Sequence, residues 1–165
     1  MKTHTRIAWL CLLSAIGFNA YAADQVFVTN EGSGDISVIN SRTDTVVQTI
    51  ATDGKPRGLA LCGNDPHLYV SNQKGSQLQA IHTQTLAIEK TLTLGDSPEA
   101  VYCSPDGQWV AVANEGSNSV SFISIASWKV QFSVAVHGKN PEHAVFSPNG
   151  KLMLVSAEEA DQVDV

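Results

Sequence analysis

Two carboxylates and a histidine occupy corresponding places in a chain that repeats itself. Glu99 follows Pro98 and Glu142 follows Pro141, with His143 next in line; the matching earlier place holds Arg57 after Pro56, with Lys55 before it. If the fold brings these places together, the carboxylates could hold a divalent cation or the polar groups of a ligand. His143 would then serve as a nitrogen ligand or a proton carrier. The plainer reading is a hydrated rim, with the acids paired to Lys55, Arg57 or Lys139. Other chemistries lack their residues. There is no Cys-x-x-Cys-His for covalent haem, no Gly-x-Ser-x-Gly elbow and no His-Glu-x-x-His helix. Trp109 and Trp128 do not recur once per repeat, so they read as packing residues.

The elements that must position these side chains follow from the period. Val28-Thr29-Asn30-Glu31 returns as Val70-Ser71-Asn72-Gln73 and Val112-Ala113-Asn114-Glu115, and more weakly as Val155-Ser156-Ala157-Glu158. The segments Lys55-Pro56-Arg57-Gly58, Ser97-Pro98-Glu99-Ala100 and Asn140-Pro141-Glu142-His143 keep the same phase of about 42 residues. So does the turn Ser104-Pro105-Asp106-Gly107, echoed at Ser147-Pro148-Asn149-Gly150. Within one period, short Val, Ile, Leu and Thr runs alternate with turn residues. Arg57 to Leu61, Leu68 to Ser71, Leu78 to His82 and Ala87 to Leu92 read as four strands. One four-stranded blade per repeat makes an all-β chain, a β-propeller. Residues 23–165 hold about 3.4 such repeats, so an incomplete ring is expected, the N-terminal blades of a longer propeller. Its first blade opens at Val26 with a second strand and has no innermost strand of its own. The charged places at 55–57, 99 and 142–143 fall just before each innermost strand, on the rim of the central channel. The Asn-Glu-Gly type loops after the second strands read as turns, each Asn anchoring its own loop.

Residues 1–22 have the form of a secretory signal. Lys2 and Arg6 precede the apolar run Ile7 to Phe18, and Ala20-Tyr21-Ala22 offers a small-x-small cleavage site. The apolar run is too short to span a bilayer, so no membrane span is expected after cleavage. The whole chain carries a net charge of −6, and removing two basic residues makes the remainder more acidic still. Such a surface disfavours nucleic acid as a partner. Cys62 and Cys103 remain, one register step apart at the ends of equivalent strands; they could bridge neighbouring blades or stay as buried thiols.

The Val-Thr-Asn, Val-Ser-Asn and Val-Ala-Asn strands, with Pro before the first strand of a blade and Ser-Pro-Asp-Gly after it, resemble the YVTN family of β-propeller repeats. Lys55-Pro56-Arg57-Gly58, Ser97-Pro98-Glu99-Ala100 and Val155-Ser156-Ala157-Glu158 more narrowly resemble the exported propellers associated with PQQ-dependent catabolism. That resemblance implies a periplasmic or secreted, non-catalytic scaffold with no cofactor of its own. Its partner would be a protein or small ligand, with a quinoprotein dehydrogenase as the implied candidate. Propellers of similar repeat type also include sugar-lactone hydrolases, in which Glu99, Glu142 and His143 would be the catalytic candidates. A cell-envelope adhesion module is the third class the repeats allow.

Overall fold

The computed structural model describes residues 25–165, and the expected leader at 1–22 lies outside them. Fourteen strands form four antiparallel sheets. The first sheet holds β1 (Gln25–Asn30), β2 (Asp35–Asn40) and β3 (Thr45–Ala51). The second holds β4 (Pro56–Leu61), β5 (His67–Asn72), β6 (Gln77–His82) and β7 (Ile88–Thr93). The third holds β8 (Pro98–Cys103), β9 (Trp109–Asn114), β10 (Ser119–Ser124) and β11 (Lys129–Ala135). The fourth holds β12 (Pro141–Phe146), β13 (Met153–Ala157) and β14 (Gln162–Asp164). The strands of each sheet pair in chain order, and β4, β8 and β12 lie side by side as the hub. This is an all-β propeller whose ring is open among the described residues. No helix among those residues is long and apolar enough to cross a membrane.

Burial between blades explains why strand alternation is only partial in the sequence. In the two middle blades the second strands, β5 and β9, are covered on both faces, so their runs are apolar almost throughout. Leu68 and Val70 pack on Ile36, Val38 and Ile50 of the first blade. Their neighbour Tyr69 faces the other way, among Val101, Val110, Val112 and Ile123 of the third blade. Val110 and Val112 thus look back, while Ala111 and Ala113 look forward onto Ala144 and Val155. Each fully buried Val, Leu or Ile contributes about 1.5–3 kcal/mol by leaving water.

Every hub strand bulges at one place. Pro56 pairs with Asn72 and Leu59 with Val70, so Arg57 and Gly58 together stand opposite Ser71. Glu99 and Ala100 stand likewise opposite Ala113, and Glu142 and His143 opposite Ser156. A bulge frees a residue from the ladder and re-aims its side chain. Glu99, Glu142 and His143, placed before the strands by sequence, therefore lie inside them, because the bulge keeps the backbone in the sheet, while Lys55 stays outside β4. Blades meet closely here: a Cβ on Gly58 would lie 2.6 Å from both the Cα of Ala100 and the carbonyl oxygen of Glu99. Glycine is the residue that permits that approach.

The repeating Thr/Ser-Asn pair has a physical role at the same level. Thr29 donates its hydroxyl to the carbonyl of Arg57 in the next blade (2.7 Å), and Ser71 donates to the carbonyl of Glu99. Ser71 also accepts from the Gly58 amide (2.9 Å). At the opposite end of the hub, Cys62 and Cys103 are disulfide-bonded with their Cα atoms 5.4 Å apart, joining the second and third blades. In the later copies the position of Cys62 is a serine. Ser104 accepts from the Trp109 amide (2.9 Å), and Ser147 accepts from the Leu152 amide (3.0 Å), closing their turns.

Candidate functional site

The three bulges set Arg57, Glu99 and Glu142 at one height around the channel mouth. A second series comes from the loops after β1, β5 and β9 and from the start of the turn after β13: Glu31, Gln73, Glu115 and Glu158. These loops reach over to the next blade. Arg57 gives Nη1 to Glu31 (2.8 Å), and its Nε and Nη2 both meet Glu99 Oε2 at 2.7 Å. Gln73 donates to the other carboxylate oxygen of Glu99 and to Ser97 Oγ (3.1 Å), while Ser97 Oγ donates to Glu115 (3.0 Å). Glu99, Glu115 and Glu142 each bring a carboxylate oxygen within 4.8 Å of the others. Lys55 stands further off, 3.7 Å from Glu31. His143 accepts or donates through Nδ1 to the Tyr102 hydroxyl at 3.1 Å, and its amide bonds Ser156 Oγ.

Burial and charge perturb this cluster. Glu99 is only 3% exposed. Its carboxyl is held above the ordinary range, first by desolvation, against the opposing pull of Arg57, with Glu142 and Glu115 adding repulsion. Glu142 is also raised, by desolvation and by the charges of Glu115 and Glu158. Glu31 is lowered by its bond to Arg57. The residues Thr29, Glu31, Arg57, Glu99, Glu142 and His143 line a cavity of about 330 Å³. It therefore contains acids that retain protons at higher pH than free carboxyls, one guanidinium and one imidazole. Such a set can move protons beside a bound polar molecule.

The family model described as lactonase, seven-bladed β-propeller, matches residues 77–165, just over half of the chain. The chain belongs to this family. A curated relative, antigen Lp49 of Leptospira interrogans serogroup Icterohaemorrhagiae serovar copenhageni (strain Fiocruz L1-130), is 26% identical over 109 residues. The match covers 65% of this chain and 24% of Lp49. Among solved structures, Kuenenia stuttgartiensis hydrazine synthase superposes with a TM-score of 0.76 at 24% identity, over 80% of this chain and 38% of that one. The Pseudomonas aeruginosa periplasmic gluconolactonase gives 0.73 at 20% identity, over 85% and 46%. The chain thus spans about a quarter of the curated relative and under half of either solved chain. At these identities the structural likeness shows the fold.

In this lactonase-family propeller, Glu99, Glu115 and Glu142 form, among the described residues, a group that could hold a divalent cation. Of the residues singled out by sequence, the structure brings Arg57, Glu99, Glu142 and His143 to one cavity and leaves Lys55 at its edge. Cys62 and Cys103 lie at the other end of the hub strands. Glu31, Gln73, Glu115 and Glu158 were read as turn residues. Their signal was an offset of 26 residues, Glu31 to Arg57 and Gln73 to Glu99, which carries a loop from one blade to the bulge of the next.

Proposed function

We propose that this protein is an exported propeller that opens small lactone rings at the mouth of its channel. The observation that carries the reading is the raised carboxyl of Glu142, beside His143 and Arg57 in one cavity, in a chain of the lactonase family. Glu142 takes a proton from water, and the hydroxyl oxygen forms a bond to the lactone carbonyl carbon. Three of the five N–H groups of Arg57 are engaged by Glu31 and Glu99, leaving two to bond the oxyanion of the tetrahedral intermediate. Collapse breaks the ring C–O bond, and the departing oxygen receives the proton from Glu142 or His143. The product is an open hydroxy acid. The Cys62–Cys103 bond supports an oxidising location, periplasmic or extracellular.

A scaffold docked beside a quinoprotein dehydrogenase would not require a desolvated acid cluster, and this cluster is what favours chemistry. The test is pH-stat hydrolysis of D-glucono-δ-lactone, corrected for the spontaneous rate, by the protein and by Glu142→Gln. A fall of about 100-fold or more is expected for loss of a general base. The wild-type rate should rise with pH through an inflection above the ordinary carboxyl value, since the base works deprotonated. Equal turnover by the two proteins refutes the assignment.

A further inference from the structure

At the end of β5 remote from the channel mouth, the second blade gathers four polar residues that its packing does not require. Asp65, His67, His82 and Glu89 have Gly107, Trp109, Ser124 and Gln131 at the matching places of the third blade, which builds the same four strands without them. His67 and His82 stand directly opposite each other across the β5–β6 ladder, their ring centroids 5.7 Å apart and their planes at 80°. Glu89, on β7, brings Oε2 to 2.9 Å from His67 Nε2. Its carboxyl is held below the ordinary range, first by that bond and also by the charge of the neighbouring His82. Behind them lies Asp65. Its Oδ1 accepts from His67 Nδ1 (2.7 Å), from the His67 amide (3.0 Å) and from the Tyr69 hydroxyl (3.1 Å). A carboxylate only accepts, so Nδ1 carries the proton and Nε2 is the nitrogen turned outward to Glu89.

We propose that His67 Nε2, Glu89 and His82 bind a divalent transition-metal ion of the zinc class, with water in the fourth position. A histidine whose other ring nitrogen is held by a carboxylate is the usual support behind such an ion. The spacing suits it. Neighbouring donors on a tetrahedral zinc stand about 3.4 Å apart, so Glu89, with its side chain 41% exposed, opens by only about 0.5 Å. Two imidazoles on one zinc set their ring centres about 5.2 Å apart, close to the 5.7 Å found here. His82 gives up something to join. Its Nδ1 accepts the Gln84 and Thr85 amides at 3.2 and 3.4 Å, the long end of hydrogen bonding. Those bonds already keep the lone pair on Nδ1 and the proton on Nε2, the tautomer that ligation through Nδ1 uses. Rotation about the Cβ–Cγ bond turns Nδ1 from the hairpin to the ion and leaves the ring centre in place. The bound ion clips β5, β6 and β7 of one blade.

Calorimetric titration of the full chain with ZnCl2 tests the site. Glu142→Gln, at the channel mouth, should leave the binding in place. His67→Gln, His82→Gln and Glu89→Gln should each weaken it by about tenfold or more. Zinc should raise the thermal midpoint of the wild type and not that of His67→Gln. Nitrogen NMR of isotope-labelled histidines reads the wild type directly, so a variant that fails to fold does not spoil the test. The His67 Nε2 and His82 Nδ1 resonances should both move with zinc. Any of three results overturns the proposal: no zinc binding, wild-type affinity in any one of the three variants, or resonances of His67 and His82 that stay put. The lactone reading stands or falls separately, because His67→Gln should hydrolyse D-glucono-δ-lactone at the wild-type rate.

Discussion

Replacing Arg57 by Met keeps the side-chain stem and removes the guanidinium from the most heavily connected point of the hub. Glu99, 3% exposed, would then carry its charge with Glu115 and Glu142 inside 4.8 Å and only Gln73 to answer it. Breaking a buried ion pair by removing one member costs about 3–5 kcal/mol. Water screens this pair from the arginine side, whose side chain is 33% exposed, so about 2–3 kcal/mol is expected at pH 8. The sign of the pH dependence follows from Glu99. Its folded-state carboxyl is already raised, so the associated stability is present at low pH and declines as pH rises through the folded value. Without Arg57 that value rises further and the decline deepens. The gap between variant and wild type should therefore be about 1 kcal/mol near pH 5 and widen towards pH 8. Urea unfolding at the two pH values measures it. In a Glu99→Gln background the same Arg57→Met change should cost less than about 1 kcal/mol. Parallel curves for variant and wild type between pH 5 and 8, or an undiminished cost in the Glu99→Gln background, would refute the assignment of a buried, compensated carboxylate.

Reducing the Cys62–Cys103 bond releases a loop of 41 residues' separation, and a loss of about 2–4 kcal/mol should show as a lower urea midpoint with reductant; coincident midpoints count against it. Gly58→Ala forces a Cβ against the backbone of Ala100 and Glu99 at 2.6 Å, so a loss of at least about 2 kcal/mol is expected in thermal melts. Gly107→Ala, in an open turn at φ 69°, should cost only about 1 kcal/mol. Ala113→Ser would supply the hydroxyl that Thr29 and Ser71 give to the next blade, here to the carbonyl of Glu142. A gain of about 1 kcal/mol in unfolding free energy is expected, and an unchanged or lowered value rejects that account of the motif.

The strands were legible because each blade repeats the same radial layers. Val70 and Val112 recur in phase since both occupy the doubly covered middle of a blade. The hub acids were legible for the same reason, as Glu99 and Glu142 mark one place in successive copies. The loop acids were obscured because their partners lie one blade ahead, where residues 26 apart meet rather than residues 42 apart. Asn30 and Asn114 anchor their own loops, but chiefly through side chains rather than the expected backbone: Asn30 bonds Asp35 and Ser37, and Asn114 bonds the Ser119 and Ser121 hydroxyls. Asn72 differs, holding the linker through the Thr52 carbonyl (3.0 Å) and the Lys55 amide (2.9 Å). Gln79 stands where the other blades have Ser37 and Ser121, so the small hydroxyl partner is missing and the amide turns to the linker. A single local substitution redirected a repeated contact, which no period could announce.

The bulge in each hub strand separates the ladder that builds the blade from the side chains that line its mouth. Arg57, Glu99 and Glu142 are each released from ladder pairing, while Leu59, Val101 and Ala144 two residues on keep the blades packed. Changing a released side chain re-letters one sector of the rim while the strand ladder behind it stays paired. A duplicated blade therefore arrives with a vacant functional slot already aimed at the axis, and relatives can diverge in what they bind while sharing one scaffold.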